Sequence, residues 1–165
     1  MDKNSCLLIV DVQNGFINEY TQHIPQLVER AQNDFKYVIV TKFYNPINSP
    51  YRNLIKWNKF TENSRDTELA FNARKDSLVL NKPIYTCVND DFKYFVNKNN
   101  IKTIYVCGID TDICVTKCCV DIFEYGLIPI VISNLCASHA GVEINDWALK
   151  ILARYIGKDQ IQHGY

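Results

Sequence analysis

The fold of this chain is decided by the segment Tyr105-Val-Cys-Gly-Ile-Asp-Thr-Asp-Ile-Cys-Val-Thr-Lys-Cys-Cys-Val-Asp-Ile-Phe-Glu-Tyr-Gly126. Residues 103–107 are apolar and predict a β-strand, and Gly108 predicts a sharp turn after it. A helix is expected next, with Thr111 and Asp112 as candidate N-caps and the closing glycine of the segment as its stop. The segment thus predicts a strand, a turn and a helix in succession, which is a building unit of parallel α/β sheets.

Cys114 is expected in or near the first turn of that helix, at the carboxyl end of the strand. Free backbone N–H groups and the positive end of the helix dipole gather there. Such a setting lowers the pKa of a thiol and favours the nucleophilic thiolate, and the same N–H groups can hold an oxyanion. The residues of this segment alone leave a second interpretation open, in which Cys114 is a buried structural cysteine.

Length and composition limit the organisation and the partners of the chain. Its 165 residues predict a single domain over residues 1–165, and its 18 basic and 18 acidic side chains give a formal net charge of zero. We therefore expect neither a nucleic-acid nor a membrane partner. The apolar run at residues 6–10 is too short for a signal peptide or a membrane span. Seven cysteines, an odd number without a secretory signal, indicate reduced thiols and a cytoplasmic location.

The rest of the chain alternates predicted strands and helices, which indicates a parallel α/β sheet with right-handed crossovers. Strands are expected at 5–10, 37–42, 78–82, 103–107 and 127–133, with a last edge strand within 160–163. A short helix capped by Asp90 or Asp91 is expected through Lys98. Further helices are expected at 25–35, after Gly108 and at 140–156, with shorter helical pieces at 50–56 and 67–73. Residues 43–66 form a long polar and aromatic segment, whose conformation the composition does not determine and which we expect to govern substrate choice.

Three chemically distinctive residues are expected at one edge of this sheet. Asp11 follows the first strand, Lys82 ends the third, and Cys114 follows the fourth. Ligands of open α/β sheets bind outside the carboxyl ends of the strands. A carboxylate at such a place needs a partner or a chemical task, and a lysine can serve as that partner. Taken singly, Asp11 can be a loop cap and Lys82 a solvated lysine, but their coincidence predicts a functional site.

These pieces match a known family. The chain resembles the isochorismatase-like cysteine hydrolases, which include nicotinamidases and N-carbamoylsarcosine amidohydrolase. The matching pieces are Leu8-Ile-Val-Asp-Val-Gln-Asn-Gly-Phe16, Lys82 after a strand, and Val106-Cys-Gly-Ile-Asp-Thr-Asp-Ile-Cys-Val115, in the right order and spacing over almost the whole chain. The resemblance implies a three-layer α/β/α fold with a six-stranded, mostly parallel sheet, and association into a dimer or tetramer.

The resemblance also implies an amidase-type hydrolase that cleaves a carbon–nitrogen bond of a small molecule through a thioester. Asp11, Lys82 and Cys114 would form the catalytic triad, with the backbone N–H groups of Asp110 and Cys114 as the oxyanion hole. The bond between Ile109 and Asp110 corresponds to the non-proline cis peptide that is common in the family. Candidates to line the substrate pocket are Gln13, Phe16, Tyr44, Tyr85, Ile109 and Asp110.

Two departures from the family limit the choice of reaction. Nicotinamidases carry an Asp/His metal site after the second strand, where this chain reads Thr41-Lys-Phe-Tyr-Asn-Pro-Ile-Asn48. We therefore expect no metal and no cofactor, and the substrate is left open. Isochorismatases proper lack the cysteine, so vinyl-ether hydrolysis is disfavoured. Asp110 occupies a position that is often small in the family, which can alter the pocket.

Four other interpretations stay open at this point. His139 follows the fifth strand and can form a Cys–His dyad with Cys114. Cys114 and Cys118 can act together in a thiol redox or sensor protein. The cluster of Cys114, Cys118 and Cys119 can suggest a metal, although no histidine or cysteine pair with zinc-finger spacing completes it. Finally, the chain can be a catalytically retired binding module on the same fold.

Overall fold

A computed structural model of the chain describes residues 5–165 and contains one six-stranded sheet. Its strands are β1 (Ser5–Val10), β2 (Tyr37–Phe43), β3 (Leu78–Lys82), β4 (Thr103–Ile109), β5 (Ile128–Ala137) and β6 (Ile161–Gln162). The strand order is β3-β2-β1-β4-β5-β6, and every pairing is parallel. Because β2 and β3 extend the sheet on one side of β1 and β4, β5 and β6 extend it on the other, right-handed crossovers place helices on both faces. The predicted α/β fold class is confirmed.

Helices occupy the crossovers and the segment after β5. They are α1 (Ile24–Ala31), α2 (Pro50–Asn53), α3 (Asp90–Lys98), α4 (Thr116–Glu124) and α5 (Val142–Ile156). Short 3₁₀ turns cover Asn14–Phe16, Gln32–Asp34, Arg65–Thr67 and Lys158–Gln160, and a π-helical turn covers Thr111–Val115. Within residues 5–165, no helix has the length and apolar character needed to cross a bilayer.

Three local predictions differ from the structure. The helical turn expected at 67–73 is wrong, since only the 3₁₀ turn Arg65–Thr67 forms there and Leu69 instead pairs with Gln13 in an isolated antiparallel bridge. The helix at 90–98 is capped by Asn89, whose side chain accepts a hydrogen bond from the backbone N–H of Phe92 at 2.9 Å. The helical segment after β4 begins with a π-helical turn whose N-cap position is Asp110, without a side-chain cap.

Gly108 brings the carboxyl ends of β1 and β4 together. Its φ is +124°, and a Cβ there would lie 2.1 Å from the backbone oxygen of Val10. Both the left-handed backbone and the close approach therefore require glycine. The pairing of β4 with β5 shifts between Val106 and Gly108. This irregularity lies next to the cis peptide bond between Ile109 and Asp110, which leads into the turn that carries Cys114.

The long segment 43–66 folds back over this edge of the sheet as an aromatic cluster. Phe60 packs against Phe16 with ring centroids 4.1 Å apart, and Trp57 stacks on Phe43 at 5.7 Å. The short helix α2 is capped by Ser49, whose Oγ accepts a hydrogen bond from the backbone N–H of Arg52. The segment is therefore held by packing and capping as part of the wall above the strand ends.

Candidate active site

Asp11, Lys82 and Cys114 meet at the carboxyl edge of the sheet. The Lys82 Nζ lies 2.6 Å from Oδ2 of Asp11 and 3.5 Å from Sγ of Cys114. Asp11 is fully buried, and Lys82 and Cys114 are 2% and 5% exposed. The structure thus brings together three side chains that are separated by 71 and 32 positions along the chain.

The ammonium group of Lys82 is held by backbone as well as by Asp11. It donates hydrogen bonds to the carbonyl oxygens of Ile84 at 3.2 Å and Tyr85 at 3.0 Å. These carbonyls belong to the turn that follows β3, so the turn itself positions the charge. A buried ammonium needs such partners, since an unpaired charge in the interior is strongly unfavourable.

Thr41 positions Asp11 from the neighbouring strand β2. Its hydroxyl donates a 2.6 Å hydrogen bond to Oδ1 of Asp11 and accepts one from the Asp11 backbone N–H at 3.1 Å. Sequence reasoning missed Thr41. The chain marks Thr41 only as a polar residue directly after the apolar centre of β2, and its full burial beside β1 is seen only in the structure. Both carboxylate oxygens of Asp11 therefore have a donor, Thr41 on one and Lys82 on the other.

Burial dominates the electrostatics of the thiol. Loss of water raises the pKa of Cys114 well above its ordinary value, the Asp11 carboxylate raises that pKa further, and Lys82 opposes them. The expected lowering of the thiol pKa is therefore wrong, because burial outweighs the attraction of the ammonium and the helix start. For Lys82, burial lowers the pKa, but the Asp11 carboxylate and Cys114 raise it by more. The Lys82–Asp11 ion pair thus lies beside a thiol whose pKa is raised by burial.

A cavity of about 320 Å³ opens beside Cys114, a size suited to a small ligand. Its lining is mainly aromatic and apolar, with one acid–base pair. The lining residues are Phe16, Phe43, Ile55, Trp57, Tyr85, Asp110, Ile113, Cys114 and His139. Of the three residues at the strand ends, Cys114 lines the cavity, whereas Asp11 and Lys82 lie behind it. Sequence reasoning missed Phe43, Ile55, Trp57 and Ile113, since three of them come from β2 and the long segment after it.

Three of the residues expected in the substrate pocket lie elsewhere. Gln13 is fully buried, and its amide donates to the carbonyl oxygens of Phe43 and Thr67 at 2.9 Å. Its Oε1 accepts from the Phe43 N–H at 2.8 Å, so the side chain ties the loop after β1 to β2. Tyr44 lines a separate cavity, and Ile109 is fully buried at the end of β4. Gln13, Tyr44 and Ile109 therefore do not line the cavity beside Cys114, whereas Phe16, Tyr85 and Asp110 do.

His139 pairs with Asp110 at the cavity wall. Its Nδ1 lies 2.5 Å from Oδ2 of Asp110, and its backbone N–H donates to Oδ1 at 2.7 Å. Burial raises the pKa of Asp110, against the opposing hydrogen bonds from His139. The hydrogen bond to Asp110 raises the pKa of His139, and burial partly offsets it. The contact of the imidazole is therefore with Asp110, and no hydrogen bond of the described residues joins it to Cys114.

The sequence comparison decides the family. The family model of the isochorismatase domain matches residues 5–159. The chain belongs to the isochorismatase family. The resemblance carried by the Asp11, Lys82 and Cys114 segments is thereby confirmed at the level of the family. No curated protein matches the chain in sequence.

Solved structures share the fold of this isochorismatase-family protein. An isochorismatase-like hydrolase from Alkaliphilus metalliredigens superposes with a TM-score of 0.84 at 14% identity, over 96% of this chain and 94% of that one. A cysteine hydrolase from Pseudomonas syringae superposes with a TM-score of 0.82 at 19% identity, over 97% of this chain and 88% of that one. A nicotinamidase from Bacillus subtilis superposes with a TM-score of 0.80 at 20% identity, over 96% of this chain and 99% of that one. At these identities the likeness establishes the fold alone.

The remaining thiols of this isochorismatase-family chain lie in its core. All seven cysteines fall within residues 5–165, and each is buried and free. Cys118 is fully buried, and burial raises its pKa well above the ordinary value, which does not favour a redox role. Among the described residues, no group of three or more His, Cys, Asp or Glu side chains is arranged to hold a metal ion. Residues 41–48 contain neither Asp nor His, so this segment does not fit the Asp/His site of nicotinamidases.

Proposed function

We propose that this protein is a cysteine hydrolase that cleaves an amide-type carbon–nitrogen bond of a small molecule through a thioester on Cys114. The observation that supports the proposal is the buried Asp11–Lys82 ion pair directly behind a thiol that lines a small cavity. Titratable groups with strong mutual effects, placed beside a cavity, are typical of active sites. Membership of the isochorismatase family, which contains hydrolases, supports the same class of reaction.

In the first half of the reaction, Asp11 takes the proton of the Cys114 thiol as the sulfur attacks the substrate carbonyl carbon. A base assists the attack because burial raises the pKa of the Cys114 thiol. Lys82 pairs with Asp11 at 2.6 Å and holds it in place. The C–S bond forms, the carbonyl oxygen becomes an oxyanion, and the backbone N–H groups of Asp110 and Cys114 receive it. One such donor is typically worth about 2.7–4 kcal/mol.

In the second half, the protonated Asp11 gives its proton to the nitrogen as the C–N bond breaks, and the amine or ammonia leaves. Water then attacks the Cys114 thioester while Asp11 accepts one of its protons. Collapse of that intermediate breaks the C–S bond, releases a carboxylic acid and returns the proton to the thiol. Acid and base are thus the same residue at different steps, which is how one carboxylate can serve both half-reactions.

The aromatic walls favour a small, planar substrate body. The ring planes of Phe16 and Phe43 each lie within 26° of that of Trp57, at centroid distances of 6.2 and 5.7 Å. Such walls contact flat groups well and exclude water, which strengthens the electrostatic interactions at the reacting carbonyl. Together with the proposed reaction, these walls favour a small amide, ureide or carbamoyl compound with a flat body.

A substrate panel tests the proposal. Small amides, ureides and carbamoyl compounds are incubated with wild type, with Cys114→Ala, and with Cys136→Ala as a matched control at a buried cysteine outside the cavity. We expect release of ammonia or amine by wild type and by the control, and none above background with Cys114→Ala. Acid-quenched samples should carry an acyl adduct on the peptide that contains Cys114. Turnover by Cys114→Ala, or an adduct on another residue, would contradict the mechanism.

A further inference from the structure

The cavity contains an acid–base pair for which the hydrolysis steps have no use. Asp110 and His139 both line it, together with aromatic and aliphatic side chains and the Cys114 thiol. The Asp110 side chain is only 3% exposed, whereas that of His139 is 45% exposed. A buried carboxylate in an apolar wall is unfavourable unless it is paired, and here its partner faces the space where a substrate would lie.

Asp110 determines how the imidazole is presented. Its two oxygens accept hydrogen bonds from the backbone N–H and the Nδ1 of His139 at 2.7 and 2.5 Å. Within residues 5–165, no hydrogen bond engages Nε2, which is the polar atom on the far side of the ring. A carboxylate bound to one ring nitrogen fixes the orientation of the ring and the task of the other nitrogen. The protonated imidazole therefore offers one oriented N–H donor.

We propose that His139, oriented by Asp110, donates a hydrogen bond from Nε2 to an acceptor on the substrate, remote from the scissile carbonyl. The acceptor is a ring nitrogen or a second carbonyl oxygen. The preferred substrates are then planar amides that carry such an acceptor, in preference to purely hydrocarbon amides of the same shape. The inference rests on the proposed function, because it concerns the substrate of the same cavity.

The charges around His139 set the pH range of this selection. Asp110 and Asp112 favour the protonated imidazole, and Lys59 opposes it. The net effect raises the pKa of His139 above its usual 6.5. The donor is therefore present below that raised pKa and is lost as the pH increases through it, so the preference for acceptor-bearing substrates should decline with rising pH.

Matched amides test the selection. Benzamide and the three pyridine carboxamides have the same shape, and the latter place a ring nitrogen at different positions. We expect wild type to prefer at least one pyridine carboxamide over benzamide by about 10–100-fold in kcat/KM, as for one hydrogen bond to a charged donor. His139→Leu should reduce that preference to within about threefold, since a lost donor removes the discrimination. His163→Leu, at an exposed histidine outside the cavity, should keep the wild-type preference.

Two further variants separate recognition from folding. His139→Gln keeps an N–H donor without a titratable ring, so the preference should persist and become independent of pH. Asp110→Asn removes the charge that raises the His139 pKa, so the decline of the preference should move to lower pH. Circular dichroism and urea unfolding check that each variant is folded. If His139→Leu does not fold, the pH dependence of the preference in His139→Gln decides whether His139 recognises the substrate.

Failure of the inference differs from failure of the proposed function. If wild type hydrolyses benzamide and all three pyridine carboxamides equally well, or if the preference survives His139→Leu, the role of His139 is refuted while hydrolysis stands. If wild type hydrolyses none of the four, the proposed function fails for this class. Equilibrium binding of the same four amides to wild type and His139→Leu then decides the recognition separately, and equal affinities would refute it.

Discussion

Replacing Lys82 with methionine should destabilise this protein by about 3–5 kcal/mol, the usual cost of leaving a buried charge without its partner. The Lys82 Nζ is 2.6 Å from the Asp11 carboxylate, and the two side chains are 2% and 0% exposed. Methionine has a similar length and fills the same space, so the change removes the charge and its hydrogen bonds rather than the packing. The carbonyl oxygens of Ile84 and Tyr85 also lose their donor.

Replacing Asp11 with asparagine should lower the free energy of unfolding by less than Lys82→Met does. Asp11→Asn retains an oxygen for the Thr41 hydroxyl, and the ammonium of Lys82 keeps its two carbonyl acceptors. We expect Asp11→Asn to destabilise the protein by about 1.5–3 kcal/mol, the range for hydrogen bonds that involve a charged group. The double variant leaves no unpaired charge, so its cost should fall short of the sum of the two single costs by about 1.5–3 kcal/mol, within the range of couplings between contacting residues.

Urea unfolding measures all three variants against wild type, with fluorescence of the two tryptophans as the signal. At an m-value of about 1–3 kcal/mol/M, a loss of 3 kcal/mol lowers the midpoint by about 1–3 M. The matched control is Lys117→Met, because Lys117 forms an exposed ion pair with Asp121 on α4 and its side chain is 51% exposed. Such surface pairs contribute about 0–1 kcal/mol.

Two results would refute this reasoning. The first is a Lys82→Met variant whose stability is within about 1 kcal/mol of the Lys117→Met control, the ceiling for a surface pair. The second is a double variant whose cost equals the sum of the single costs within about 0.5 kcal/mol, as for independent sites. Either result would mean that Asp11 and Lys82 do not stabilise each other in the interior, and the proposed hold of Lys82 on the catalytic base would fail with it.

Three further outcomes are expected. Iodoacetamide should label Cys114 before any other cysteine, because Cys114 lines the cavity. The rate of labelling should increase with pH, because burial raises the pKa of the thiol. Peptide mass mapping that found another cysteine labelled first would contradict this prediction. Gly108→Ala should lower the free energy of unfolding, measured in urea, by more than about 4 kcal/mol, because a strained backbone and a steric clash act together. Gly164→Ala should be as stable as wild type, because a Cβ at Gly164 would meet open space. Thr41→Val should lower kcat about tenfold or more with KM nearly unchanged, because Asp11 loses a positioning hydrogen bond; Thr41→Ser should restore turnover, and full activity of the valine variant would contradict the role.

Much of the fold could be predicted from local sequence. The apolar run that became β1 is buried at all six positions, and the run that became β3 has the predicted bounds. Buried parallel strands need continuous apolar residues, so their positions are visible in the chain itself. The meeting of Asp11, Lys82 and Cys114 could be anticipated for a related reason, because the carboxyl ends of parallel strands lie at one edge of a sheet.

The pairing of side chains across long separations could not be predicted in this way. Gln13 lies in a motif that resembles an active-site segment, yet its amide is used to join the loop after β1 to β2. The chain also gives no local sign that Thr41 would support Asp11, or that His139 would pair with Asp110 rather than Cys114. Hydrogen-bond partners depend on which polar groups come within about 3 Å in the folded chain, which periodicity does not encode.

The sequence by itself determined the family, the α/β sheet and the three residues at its edge, because strand patterns and short motifs are local properties of the chain. Only the tertiary structure decided the direction in which the pKa of Cys114 is shifted and which residues form the walls of its cavity. The thiol pKa follows burial, which is set by all the segments that cover Cys114 rather than by its own helix. The cavity wall joins β2 and the segment after it to His139 beyond β5, and such contacts exist only once the loops have packed over the sheet.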